Sequence, residues 1–430
     1  MRSIVVKIGS SSVTRSTGPD PVVLTSALDE ALNAQAIDWN VVLVSSGAVS
    51  SGSAYLARTG NINPSQRLAA AVGQPFLMDI YRSVSEVSGR HVCQLLISES
   101  DLRSPTAISS VCAVLNECAN AGIAAIINGN DIIDKTGSDN DAIAVAVAVA
   151  TGADKLLILT DVSGVYNDFL DDSAHLLDLS VPDISAVRAA RTGTGRGGMR
   201  SKLRAAELAA NNGIETHIAA AKFPGVISAC IKNEPVGTRI PAARGRFGAE
   251  SRWISGVAMS YGSIVINRPA EESIRAGASL FASGIKKVHG DFLGGDVIEV
   301  RAPSGRLIAR GISKVSATLM TLVRSMQTDE IAIALTEILH KFLTGGHLSG
   351  DHTGHLNARD PLSRAMGLIG SHGYELTREL ALEIMTLFPS ATAAAMFDIG
   401  GDEGLRRLRE RYARLSSDLS FIDRRRLVVF

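Results

Sequence analysis

The chain lacks a net charge of either sign. Its 43 Lys and Arg are balanced by 43 Asp and Glu, which argues against capture of a nucleic acid or an anionic membrane by the overall field. It also lacks a long hydrophobic run. The longest, residues 142–150, is Ala-rich and well short of the ~20 apolar residues that cross a bilayer. No secretory leader is expected ahead of the first strand, because Arg2 is followed directly by a β-type run. Cysteine is sparse. Cys93, Cys112, Cys118 and Cys230 show no C-x-x-C spacing, so they read as reduced core thiols in a cytoplasmic protein rather than as a disulfide framework or a metal site.

Apolar residues make up 46% of 430 positions, enough to fill proper cores, and the length predicts two to three domains. Four short apolar β runs stand out, and each ends in small or polar residues. The first breaks at Gly9-Ser-Ser-Ser12, the second at Ser45-Ser-Gly47, the third at Asn128-Gly-Asn-Asp131 and the fourth at Thr160-Asp161. Helical patterns over residues 22–36, 65–88, 106–121, 140–151 and 199–212 separate or follow them. In open parallel α/β sheets, ligands bind beyond the carboxyl ends of the strands.

Two lysines sit in unusual places. Lys7 interrupts the first apolar run, a position that is expensive without an anionic partner. Lys202 closes Gly193-Thr-Gly-Arg-Gly-Gly-Met-Arg-Ser-Lys202, a glycine-rich stretch leading into an Ala/Leu-rich helix. Glycines let backbone N–H groups approach a phosphate, and the helix start adds its positive dipole end. The order Ser-Lys, and the absence of a strand leading directly into the loop, set it apart from a P-loop.

These blocks, in this order, resemble the glutamate 5-kinase family of the amino-acid kinase superfamily. The resemblance rests on Val5-Val-Lys-Ile-Gly-Ser10, Val44-Ser-Ser-Gly-Ala-Val49, Ala71-Val-Gly-Gln74, Asn128-Gly-Asn-Asp131, Ser138-Asp-Asn-Asp141, Leu159-Thr-Asp161 and Gly195-Arg-Gly-Gly-Met-Arg-Ser-Lys202, over about residues 1–230. It implies an α/β fold, a three-layer αβα sandwich with a mainly parallel central sheet. It also implies an ATP-dependent carboxylate kinase making an acyl phosphate, with Mg2+ bridging ATP phosphates and few protein ligands to the metal. By the same resemblance, Lys7 and Lys202 contact the transferring and leaving phosphates, and Gly9 and Ser10 give backbone donors. Thr160, Asp161 and Arg196, Gly197, Gly198, Met199, Arg200, Ser201 and Lys202 hold ATP. Ser46, Gly47, Asp131 and Asn140 hold the amino-acid substrate. Asp141 is expected to serve Asn140 or to cap the helix start. The resemblance further implies a homo-oligomer, a dimer or tetramer. The reactive product suggests a downstream reductase or transferase.

The chain departs from the family pattern at four places. Gly129 stands where Glu is usual, Ser138 where Gly is usual and Arg196 where Thr is common. Residues 103–109 replace a segment with an aromatic and an Asn-Ala-Arg run. A glutamate analogue in specialised metabolism is therefore an alternative acceptor, and a non-catalytic regulator or RNA-binding relative is a second alternative.

Three parts are expected. Residues 1–245 form the kinase domain. Residues 255–328 resemble a small β-rich PUA domain, with Asp291–Asp296 as a hairpin-like turn. PUA domains often bind RNA, but the modest basic excess here favours an oligomer or regulatory module, and nucleic acid is an unlikely partner. Residues 329–430 form a helical C-terminal extension with no recognised family. Within it His347, Asp351, His352 and His355 lie close together in a Gly-rich run that reads as a solvated loop sooner than a metal site.

Overall fold

The computed structural model describes residues 2–15, 18–60, 63–102, 104–134, 139–166, 198–243, 247–326, 331 and 420–430. The chain divides into two compact units, Met1–Met259 and Ser260–Phe430.

In the first unit, seven strands form one sheet: β1 (Arg2–Ile8), β2 (Trp39–Ser45), β3 (His91–Ile97), β4 (Ile123–Gly129), β5 (Lys155–Thr160), β6 (Glu215–Ala220) and β7 (Thr238–Ile240). Their order is β3-β4-β2-β1-β5-β6-β7. Every neighbouring pair is parallel except β6 with β7. The helices are α1 (Pro21–Gln35), α2 (Ala48–Arg58), α3 (Gln66–Val87), α4 (Pro105–Ala121), α5 (Asn140–Thr151), α6 (Met199–Asn211) and α7 (Val226–Ile231).

Alternation along β1 decides which helices it meets. Ile4, Val6 and Ile8 pack with Leu24 and Leu28 of α1 and with Leu77 and Tyr81 of α3. Val5 packs instead with Ile143, Ala144 and Val147 of α5 and with Leu203 of α6. Both faces of the central strands are thus apolar and covered, which gives the three-layer sandwich. The period of two also places Lys7 on the face of Val5, toward α5.

The chain leaves β1 toward β2 on one side, and β5 lies on its other side. The topological switch therefore falls at the carboxyl ends of β1 and β5. Gly9 closes that end tightly: its N–H donates to Leu159 O at 3.1 Å, and a Cβ there would lie 3.1 Å from the same oxygen.

Sequence periodicity predicts four strands, and the sheet has three more. Strand β3 is a half-exposed edge of mixed polarity, and β6 carries Glu215, Thr216 and His217. Helix α2 was also not anticipated. It crosses α3 at small residues, since a Cβ on Gly52 would lie 1.8 Å from Ala69 O and one on Gly73 1.8 Å from Ala48 O.

The first unit runs past the expected boundary near residue 245. Trp253–Val257 forms a π-helical turn against α5, and Ser255 Oγ donates to Asn212 Oδ1 at 2.5 Å.

The second unit has a sheet of β8 (Gly262–Ile266), β9 (Ile285–Gly290), β10 (Val297–Arg301), β11 (Leu307–Ile312) and β12 (Leu427–Val429), in the order β9-β8-β10-β11-β12. The expected hairpin at Asp291–Asp296 is instead a crossover: β9 and β10 both pair with β8 and not with each other. Most of the expected helical extension lies outside the described residues. Its last described part corrects the expectation. Leu427–Val429, an apolar run with two β-branched valines, pairs antiparallel with β11, while Phe421 and Ile422 enter the core of the unit. The His347–His355 cluster lies outside the described residues.

Candidate active site

Three elements bring charge to the switch point. Lys7 comes from β1, Lys202 from the first turn of α6 and Asp141 from the first turn of α5. All three are buried, at 5%, 5% and 2% exposure. Lys7 Nζ lies 2.6 Å from Asp141 Oδ1 and Lys202 Nζ 3.6 Å from Asp141 Oδ2. Ser201 Oγ donates to the same Oδ2 at 3.0 Å.

Two ammonium groups thus meet one carboxylate in a desolvated place. Burial alone would raise the Asp141 pKa, but Lys7 and Lys202, with the hydrogen bonds from Lys7 and Ser201, outweigh it and hold the carboxyl below its ordinary value. Burial lowers the Lys202 pKa; Asp141 opposes this and Lys7 adds to it. The local excess of positive charge suits a polyphosphate.

Asp141 is not the helix cap. Asp139 takes that role, accepting from the N–H groups of Asp141 and Ala142 at 2.9 and 3.3 Å. Capping follows local spacing, whereas the two lysines reach Asp141 from 134 and 61 residues away, beyond the range of any local pattern.

Beside this cluster lies a ladder of amides. Asn140 Nδ2 donates to Ser46 Oγ and to Asn128 Oδ1, both at 3.0 Å. The Gly129 N–H is shared between Asn128 Oδ1 at 2.8 Å and Asn140 Oδ1 at 3.1 Å. Ser46 is held by its N–H to Ile8 O, and Gly47 starts α2 at φ 120°. Ser45 Oγ, next to Ser46, lies 2.7 Å from the Tyr81 hydroxyl, whose phenol burial pushes upward in pKa. Asp131 sits half-buried in the turn after β4.

The nucleotide residues are placed as follows. Thr160 ends β5 and donates from Oγ1 to Asp161 Oδ1 at 3.0 Å. Gly198 precedes α6, and Met199, Arg200, Ser201 and Lys202 form its first turn. Arg196 and Gly197 lie outside the described residues. Ser10 is exposed and opens the single helical turn Ser10–Val13 that follows β1. The Gly9 N–H, expected to face phosphate, is taken by Leu159 O; the glycine serves close approach of the two strands. Sequence reading passed over Ser12 and Asn128. The Ser12 hydroxyl is buried near Gly9 and meets no partner among the described residues. Its only signal was a place in the Gly-Ser-Ser-Ser turn.

Residues 2–220 match the amino acid kinase family. The chain belongs to that family. Residues 262–334 match the PUA domain. Curated relatives named glutamate 5-kinase include that of Serratia proteamaculans, 33% identical over 345 residues, covering 77% of this chain and 94% of the relative. That of Vibrio vulnificus is 33% identical over 359 residues, covering 79% and 94%. That of Myxococcus xanthus is 33% identical over 348 residues, covering 78% and 92%. This amino acid kinase is therefore an enzyme of the carboxylate-kinase kind with ATP as phosphoryl donor. Among the described residues, no helix is long and apolar enough to cross a membrane.

Proposed function

We propose that this amino acid kinase transfers the γ-phosphoryl group of ATP to the side-chain carboxylate of L-glutamate, giving glutamyl 5-phosphate, the first step of proline synthesis. The observation that carries the reading is the pair of buried lysines converging on Asp141 at the switch point. The names of the relatives favour glutamate over an analogue. The presence of both lysines favours catalysis over a regulator that kept only the fold.

The carboxylate oxygen of glutamate is already a nucleophile, so no general base is needed. It attacks the γ-phosphorus, an acyl P–O bond forms, the bond to the β-phosphate oxygen breaks, and ADP leaves with the electron pair. Such a transition state is stabilised chiefly by positioning and charge neutralisation. Lys7 and Lys202 supply the charge. Asp141 orients both ammonium groups and keeps them from repelling one another. Thr160, Asp161 and the residues leading into α6 hold the nucleotide. Ser46, Gly47, Asp131 and Asn140 hold the amino acid, Asp131 offering its carboxylate to the substrate ammonium. Mg2+ would enter with the ATP phosphates. Among the described residues no three His, Cys, Asp or Glu side chains converge, and Asp141 is engaged by both lysines. Bound there, the metal supplies further neutralisation of phosphate charge.

The test is ATP turnover with glutamate and its analogues, trapping acyl phosphate as hydroxamate. Hydroxamate from glutamate supports the reading. Turnover with another acid alone moves the acceptor assignment, and ATP binding without turnover on any acid overturns it.

A further inference from the structure

We infer that Gln74 is a specificity-determining residue, donating a hydrogen bond from Nε2 to the α-carboxylate of the acceptor. This rests on the carboxylate-kinase reading above.

The orientation of the Gln74 amide follows from a backbone group. The Gly129 N–H can only donate, so the Asn128 and Asn140 atoms that receive it are oxygens. The other end of Asn128 is therefore the NH2 group, Nδ2, which lies 2.9 Å from Gln74. The atom of Gln74 facing it must accept and is Oε1. Nε2, left on the far side, is buried and meets no acceptor among the described residues. A buried amide donor without an acceptor is destabilising and calls for an explanation.

The backbone around Gln74 is fixed as well. Gly73 is pressed against Ala48, where a Cβ would lie 1.8 Å from the carbonyl oxygen. Pro75 follows inside helix α3 and removes a helical N–H. The Gly73 contact holds this turn of α3 against the start of α2.

Position assigns the ligand atom. The ladder runs Gln74–Asn128–Asn140–Ser46, and Asn140 is adjacent in sequence to Asp141, where both lysines meet. Gln74 stands two amides away from that phosphoryl-transfer end. With the phosphoryl group at the lysine end, the proposed function would set the remote end of an acidic amino acid beside Gln74. A donor there favours an ionised carboxylate, a stronger acceptor than the single carbonyl oxygen that a carboxamide would turn toward the same N–H.

The experiment compares glutamate with its α-carboxamide (isoglutamine), which keeps the reacting γ-carboxylate, in the wild type, Gln74→Glu and Gln74→Met. The wild type should strongly prefer glutamate. Gln74→Glu should raise KM for glutamate at least ~10-fold with KM for ATP unchanged, and should shift the kcat/KM ratio toward isoglutamine by at least ~10-fold. Gln74→Met, similar in volume and without donor or acceptor, should lose the preference without reversing it. Equal losses on both acids in the soluble variants, or no change in KM, would leave Gln74 a support for Asn128 alone and overturn the inference. A wild type that turns over neither acid overturns the carboxylate-kinase reading and the inference with it. A wild type active on glutamate with unshifted variants overturns only the inference.

Discussion

Two ion clusters, one partly open to solvent and one buried, occupy opposite ends of the same sheet. At the amino ends of β5 and β6, Lys155 pairs with Glu215 and also donates to Asn233 Oδ1 at 2.7 Å. Glu215 further accepts from Arg239 Nε at 2.9 Å and lies 3.1 Å from His217 Nε2. The second cation there, Arg239, has a side chain 57% exposed, so water shares its charge. At the carboxyl ends, Lys7 and Lys202 are both buried and face one carboxylate between them. The first cluster is satisfied by its own side chains and by solvent. In the second, two buried ammonium groups converge on Asp141, with Asp161 adding its charge to Lys202, and the proposed function gives that convergence a polyphosphate to bind. Position agrees, since only the second lies where parallel sheets bind ligands.

The largest expected effect breaks the second cluster. Asp141→Asn removes the carboxylate both ammonium groups touch, and breaking a buried ion pair this way costs about 3–5 kcal/mol. Denaturant unfolding should show that loss, and turnover should fall by about a thousandfold or more. Glu215→Gln should destabilise the first unit by about 3 kcal/mol at neutral pH, with kcat per folded enzyme within about threefold of wild type. A drop in kcat comparable to that of Asp141→Asn would erase the distinction between the clusters.

Acid sharpens the comparison. Burial tends to raise the Glu215 pKa, but hydrogen bonds from Arg239, Lys155 and His217 outweigh it and bring it down to about 2. A depressed carboxyl stabilises the fold above its unfolded pKa, near ~4.3, and loses that contribution as pH falls toward about 2. Burial also lowers the His217 pKa against the opposing pull of Glu215, so the unfolded chain takes up that proton first as pH drops below ~6.5. Both groups make stability fall with acid. Urea midpoints between pH 7 and 3 should drop for the wild type and less steeply for Glu215→Gln. The smallest effect is expected from Cys93→Ser. Its thiol lies 3.3 Å from that of Cys118, burial and Cys118 push its pKa up to about 12, and neither cluster involves it. Turnover should be unchanged and stability altered by about 1 kcal/mol or less.

The two clusters also explain what was legible in the sequence. Lys7 announced itself because a lone cation inside an apolar strand demands an anion. The glycines before Lys202 did so through their density. Asp141 hid behind Asp139 and Asn140, since its partners are distant in sequence and helix starts commonly carry acidic residues. Strand β6 was hidden by the structural cluster: Glu215 and His217 gave it the polarity of a loop, although Glu215 pairs with Lys155 and His217 with Glu215. Gln74 belonged to the Ala71–Gln74 block of the resemblance and stood between Gly73 and Pro75, but nothing local gave its side chain a role. The strand at Leu427–Val429 is apolar with two β-branched valines, but its partner is over a hundred residues upstream.

The most direct test compares Lys202→Met with Lys155→Met in hydroxamate formation from glutamate and ATP, each rate normalised to folded protein by unfolding curves. The account predicts a loss of about a thousandfold or more for Lys202→Met with stability held, and a loss of stability with turnover within about threefold for Lys155→Met. Full turnover in Lys202→Met, or an equal loss in both variants, would contradict it.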